Sequence, residues 1–170
     1  MSWVEHARSL IAYNEWANQK VLEAAAGLID EEFGRQVSGS HGSVRMTLLH
    51  VVRVQVWWLS VLKGKPEVPS TPEGHVPEWR IPLEEVSRWF ERSHDDLKAY
   101  ADALTPERLD AEVTAFNPRE NREYHWPSWQ LAIHLVNHGS HHRAEAGIML
   151  ASLGHSPGDL DYIYFVGQQG

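Results

Sequence analysis

Four histidines, His134, His138, His141 and His142, lie within nine residues of a stretch that reads as one long helix, PSWQLAIHLVNHGSHHRAEAGIMLASLG, residues 127–154. Pro127 suits a first helical turn and Gly154 the position just past a last one. Alternate steps of three and four from Leu131 pass through Leu135, His138, His142, Glu145, Met149 and Ser152, one stripe of an amphipathic helix. Two imidazoles and a carboxylate therefore fall among positions that should be buried. Histidines four apart on a helix project from one face, about 6 Å apart along the axis at about 1.5 Å rise per residue, so both rings can converge on one ion. Burying such groups unpartnered would cost about 1–3 kcal/mol each, a difficulty that a shared metal ion removes.

The rest of the chain supplies helices for this one to pack on. Residues 2–27 repeat the three-four spacing through Trp3, Ala7, Leu10, Asn14, Ala17, Val21 and Ala24. Asn14 is the polar exception, expected to hydrogen-bond a neighbouring helix or to fix register. After the polar connection SGSHGS (38–43), Ser43 can cap a second helix that runs to Gly64, with His50, Val54, Trp57 and Val61 on one face. A third helix is predicted over 83–104, with Leu83, Val86, Phe90, Leu97, Tyr100 and Leu104 inward and its charges outward.

Between the second and third helices, residues 64–82 hold five prolines and cannot be helical throughout. They read as a long crossover or lid in which Trp79 either covers a pocket mouth or packs on the surface. Thr105–Pro106–Glu107 restarts a short turn, and residues 112–126 read as a small hairpin around the polar turn 117–121. The tail after Gly154 reads as a short helix or a strap against the bundle.

At 170 residues the chain suits a single all-α domain spanning 1–170, a four-helix bundle with a long loop between helices two and three and a small hairpin or irregular insertion before the last. The formal charge of −8, with no basic run, argues against nucleic acid or an anionic membrane as partner. No cysteine is present, so histidine and carboxylate must carry any metal chemistry. No apolar run is long enough for a signal peptide or a membrane span, so the chain is expected to be soluble and cytoplasmic.

With His50 on helix two and His138 and His142 on helix four, the chain resembles the DinB/YfiT-like family of metal-binding four-helix bundles. The resemblance rests on YNEWAN (13–18), GSVRMTLLHVV (42–52) and WQLAIHLVNHGSHHRAEAGIMLASLG (129–154), the last similar to the family's H-x-x-x-H-R-G-Q run. It implies His50, His138 and His142 as metal ligands, the same three positions that the helix faces single out, with His134 and His141 merely nearby. Three neutral imidazoles leave positions on a divalent ion for water or substrate, the pattern of a catalytic site. Zinc or nickel is the expected ion, with iron or copper also compatible with imidazole ligands.

The chain departs from the family pattern at Ala144 and Glu145, where Gly-Gln is usual. Glu145 is accordingly a candidate catalytic residue: a fourth ligand, an acceptor behind an imidazole, a general base toward water, or simply a charge at the bundle rim. Arg143 is read as an anchor for an anionic substrate or for an acidic side chain, and Trp57, with Trp58, as lining for an apolar substrate or cofactor pocket. The resemblance implies a metal-dependent enzyme transferring a low-molecular-weight thiol to a small electrophile. A metal-dependent hydrolase and a non-catalytic, metal-clamped stress-response or binding protein are the alternatives. It also implies a homodimer.

Overall fold

The computed structural model describes residues 2–37, 39–66, 77–117 and 120–168. Helix α1 spans Trp3–Ala25, followed by the single turn α2, Asp30–Phe33. Helix α3 spans Val44–Leu62 and α4 Leu83–Asp102. A short α5, Pro106–Asp110, precedes the hairpin of β1, Glu112–Asn117, and β2, Arg122–Pro127. Then come α6, Ser128–Ser152, and the terminal α7, Tyr162–Gly167. No described helix is long and apolar enough to cross a membrane.

The helix ends lie where their capping chemistry puts them. Ser2 and Glu5 form a reciprocal capping box on α1. Ser43 Oγ accepts from Met46 N at 3.2 Å to start α3, as expected. Gly154, at φ +87°, ends α6 in the left-handed conformation, and His155 N closes back on Leu150 O at 2.9 Å. The hairpin is antiparallel, with Val113 opposite Trp126 and Ala115 opposite Tyr124, in the place the sequence predicts. The tail resolves in favour of a short helix, which sets Phe165 against Tyr13 and Trp16. Of the proline-rich crossover, residues 67–76 lie outside the described residues. Trp79 sits on a 3-10 turn, Glu78–Arg80, with its ring 58% exposed and Arg80 over it at 4.5 Å.

Neighbour relations in the bundle decide where the histidines meet. Both α1 and α3 pack against α4 and α6, so α1 stands diagonally across the bundle from α3, and α4 from α6, while α3 and α4 lie side by side. A diagonal step needs a long connection. That accounts for residues 26–43 between α1 and α3, and for α5 with the hairpin between α4 and α6. The arrangement gives α6 two long-helix neighbours at once, and its buried surface is correspondingly wide. One stripe carries Leu131, Leu135, His142 and Met149; a second carries Ala132, Val136, Gly139, Arg143, Ala146 and Leu150.

The apolar core falls into two clusters, one around Ile11, Leu59, Leu97 and Leu135, the other around Val21, Phe33, Leu48, Phe90 and Leu150. A buried polar network joins the four long helices. Arg143 of α6 donates through Nη1 to Asn14 Oδ1 at 2.6 Å and Asn18 Oδ1 at 2.9 Å on α1. Asn14 Nδ2 donates to Gln55 Oε1 on α3 at 2.8 Å, and Gln55 Nε2 to Ser93 Oγ on α4 at 2.8 Å. Asn18 Nδ2 also lies 3.1 Å from His94 Nε2. Asn14 thus takes the interhelical role expected of it. Gly139 makes the network possible, since a Cβ there would stand 2.5 Å from Arg143 Nη1 and 2.7 Å from Asn14 Oδ1.

Candidate metal centre

The packing of α3 on α6 brings His50, His138 and His142 together. The Nε2 atoms of His50 and His138 are 3.1 Å apart. Ring centroids are 5.0 Å apart for His50 and His138, and 4.5 Å for His142 with either of them. For metal–nitrogen bonds of about 2.0–2.1 Å, two ligands on one ion stand about 2.9–3.4 Å apart, so the His50–His138 separation suits a shared divalent ion. The donor set, neutral imidazoles with a carboxylate behind one of them, fits such an ion equally well.

Burial and mutual proximity prepare His50 and His138 to act as neutral ligands. Desolvation, followed by the neighbouring His41 and His142, lowers the His50 pKa to about 4. Desolvation with His142, His50 and other nearby histidines lowers that of His138 to about 3. The lone pairs are therefore available well below neutrality.

Glu145 stands behind His142. Its Oε2 lies 2.8 Å from His142 Nδ1 and also accepts from Ser40 Oγ at 2.8 Å, while Oε1 accepts from Ser40 N at 3.4 Å. A carboxylate on Nδ1 fixes the tautomer in which the Nε2 lone pair is free to ligate. Desolvation would raise the carboxyl's pKa, but the hydrogen bonds from His142 and Ser40 outweigh it and hold it at about 2.

A fourth ring joins the cluster from the loop before α3. His41 stacks on His50 with centroids 4.0 Å apart and an interplanar angle of 26°, and lies 5.0 Å from His142. One ring nitrogen from each of His41, His50 and His142 falls within 4.8 Å of the others. His41 is not on any helix, so periodicity misses it; its signal is a histidine flanked by Ser40 and Gly42 just before the cap of the helix that bears His50. Of the other two histidines of α6, His141 is exposed and brings a ring nitrogen within 4.8 Å of ligand atoms of His142 and Glu145, whereas His134 packs edge-on against Trp58 at 4.8 Å.

Beside His41 and His50 opens a cavity of about 280 Å³, whose walls include Leu49, Val54, Trp57, Arg53 and Glu78. Trp57 thus lines a pocket at the cluster, as its position on α3 suggests, while Trp58 turns to Trp126 and His134. Among the described residues of the crossover, Glu78, ion-paired with Arg53, reaches this cavity and the Trp79 ring does not. Arg143, read from sequence as an anchor for an anion or an acidic side chain, is 1% exposed, and its hydrogen-bond partners are Asn14, Asn18 and Ser140.

The chain matches the DinB family over residues 2–169. It belongs to that family. Protein DinB of Bacillus subtilis (strain 168) is 26% identical over 161 residues, covering 93% of this chain and 92% of the relative. Two solved Bacillus subtilis structures share the fold, each at a TM-score of 0.65. The DinB-like protein YjoA is 12% identical, covering 86% of this chain and 93% of its own. YfiT, described as a probable metal-dependent hydrolase with an unusual four-helix bundle topology, is 15% identical, covering 92% and 91%. The metal-binding four-helix bundle that the histidine pattern suggests is thus the fold of this DinB-family chain.

Proposed function

We propose that this DinB-family chain is a metal-dependent hydrolase of small molecules, with a divalent ion, zinc or nickel, held by His50, His138 and His142. The observation that carries the reading is the convergence of His50 Nε2 and His138 Nε2 at 3.1 Å, beside a His142 oriented by Glu145 and next to a cavity. A bound ion would supply Lewis acidity toward a substrate oxygen and lower the pKa of water. The probable metal-dependent hydrolase YfiT, which shares the fold, supports the same reading.

The side chains divide the remaining work. Leu49, Val54 and Trp57 offer an apolar wall that excludes water from the leaving group, and the Arg53–Glu78 ion pair offers polar contacts at the cavity's edge. Glu145 holds His142 in its ligating tautomer; a carboxyl held at about 2 by three hydrogen bonds is a weak base toward water at neutral pH. Its role in this reading is positioning.

Transfer of a low-molecular-weight thiol to an electrophile is the second reading, and the apolar wall formed by Trp57 suits an electrophile's carbon skeleton. Untagged protein analysed for bound metal and assayed against ester, amide and lactone panels, with and without a thiol and an alkylating electrophile, separates the two. Hydrolysis lost in His138→Ala supports the first. Thioether formation without hydrolysis replaces it with the second, and stabilisation by metal with neither activity leaves the metal a structural clamp.

A homodimer and a cytoplasmic location belong to the same proposal. A groove of about 340 Å³ between α1, α5 and α6, with Trp3, Trp129 and Ile133 exposed, offers a second copy an apolar face. Sedimentation of the wild type and Trp129→Asp tests that face: a wild-type monomer would refute the dimer.

A further inference from the structure

We infer that His41 is a fourth, displaceable ligand of the metal centre, carried on a loop that closes the open coordination position until substrate or an anion exchanges with it. The inference rests on the metal reading above.

Three observations support it. The ring is close at hand: it stacks on His50 at 4.0 Å, and its ligating atom falls within 4.8 Å of those of both His50 and His142, so a small movement of the loop brings it to the ion. The loop is built to hold it there. Val37 N donates to Gly42 O at 2.8 Å, Gly42 turns the chain at φ +76°, and Ser43 passes directly into the α3 cap. Third, Ser40 latches this loop onto Glu145 through both its backbone N–H and its hydroxyl, and the same carboxylate orients His142. Loop closure and ligand orientation therefore share one group.

The geometry also specifies displacement rather than permanent ligation. His50, His138 and His142 stand on helices anchored in the core, whereas His41 is tied down by a few partly exposed polar contacts, which open at far lower cost than a packed helix. His41 lines the cavity beside His50, so a molecule entering there meets both rings. Three imidazoles on a tetrahedral ion leave one position vacant, and His41 is the imidazole placed to take it.

Cobalt(II) alone, followed by azide, tests this without any substrate. Wild type, His41→Ala, Ser40→Ala and His50→Ala would be titrated with cobalt and the visible d–d absorption recorded, with far-UV circular dichroism confirming the fold. His41→Ala should still bind one cobalt, with an altered band shape, about tenfold weaker metal affinity and azide affinity raised at least about tenfold. Ser40→Ala, which removes the hydroxyl half of the latch but keeps its backbone N–H and the ligand, should move azide affinity in the same direction by less. If both loop variants match wild type in spectrum and azide affinity while His50→Ala loses cobalt, the assignment of His41 is overturned and the three-histidine centre stands. Cobalt bound equally by wild type and His50→Ala would overturn both.

Discussion

Replacing Gly139 with alanine should destabilise the bundle, although helix propensity alone says the opposite. In the interior of α6, exchanging glycine for alanine is worth about 1 kcal/mol in favour of the variant. Against this, the new methyl would stand 2.5 Å from Arg143 Nη1 and 2.7 Å from Asn14 Oδ1, inside contact distance of both. Neither side chain has room to retreat, because Arg143 is 1% exposed and Asn14 0% exposed within the network that joins α1, α3 and α6. Overpacking costs about 1–3 kcal/mol, and each weakened hydrogen bond to the guanidinium about 1.5–3 kcal/mol. The net expectation is a loss of about 2–4 kcal/mol, or about 5–15 °C in melting temperature for a chain of this size. Gly147 on the same helix is the internal control. A Cβ there meets only Pro157 Cγ, at an ordinary 3.5 Å, so Gly147→Ala should gain up to about 1 kcal/mol. Urea unfolding of the metal-free proteins, followed by circular dichroism, measures both. Equal stabilisation by the two substitutions would refute the close-approach argument and with it the claim that Gly139 is spent on seating Arg143.

Other predictions follow from the same network and from the centre. Burial, then Arg143, lowers the His94 pKa to about 4, so its neutral form belongs to the fold; stability it supports is complete above about pH 6.5 and is lost as pH falls toward 4, by about 3 kcal/mol in all. His94→Gln should flatten that part of the pH–stability curve, and an unchanged slope would show the proton to be taken up elsewhere. Zinc should raise the melting temperature at pH 5.5 as well as at pH 8, because His50 and His138 protonate only near 4 and 3; unperturbed imidazoles would each be about nine-tenths protonated at pH 5.5. A zinc effect that has vanished by pH 5.5, as titration near 6.5 would give, contradicts this. Glu145→Gln should weaken zinc about tenfold yet leave hydrolysis at full occupancy within a few-fold of wild type, whereas a loss beyond about a hundredfold would restore Glu145 as the base.

The two sides of α6 were unequally legible in the sequence. The stripe through His138, His142 and Glu145 stands out because polar residues interrupt an apolar pattern, and together with His50 it points to the rings that the fold clusters. The second stripe, Ala132, Val136, Gly139, Arg143, Ala146 and Leu150, has the same three-four spacing but was obscured by its charged member. Arg143 therefore reads as an anchor for an anionic substrate or for an acidic side chain, whereas its guanidinium donates to the amide oxygens of Asn14 and Asn18 and ties α6 to α1. A helix with two long-helix neighbours buries two stripes, and one sequence does not say how many neighbours a helix has. His41 was hidden for a different reason. Its position depends on a loop conformation set by Gly42 and by the Ser40–Glu145 contacts across more than a hundred residues, and no local period encodes that. The hairpin and the caps were readable because their chemistry is local.

Adjacent residues on α6 serve separate ends, and that separation bears on what a metal does here. Successive side chains on a helix point about 100° apart, so His142 turns to α3 and the loop while Arg143 turns to α1. The Arg143 network and the two apolar clusters hold α6 in the bundle without His50, His138 or His142. A chain of 170 residues with this core needs no metal staple to fold. Zinc at a hundred times its dissociation constant would still add about 2.7 kcal/mol, since it binds only the folded centre. That energy is held in ligation rather than in the scaffold. An ion held in this way would be free to exchange a ligand such as His41 while the bundle beneath keeps its packing, as the hydrolytic reading proposed above requires and a structural clamp does not.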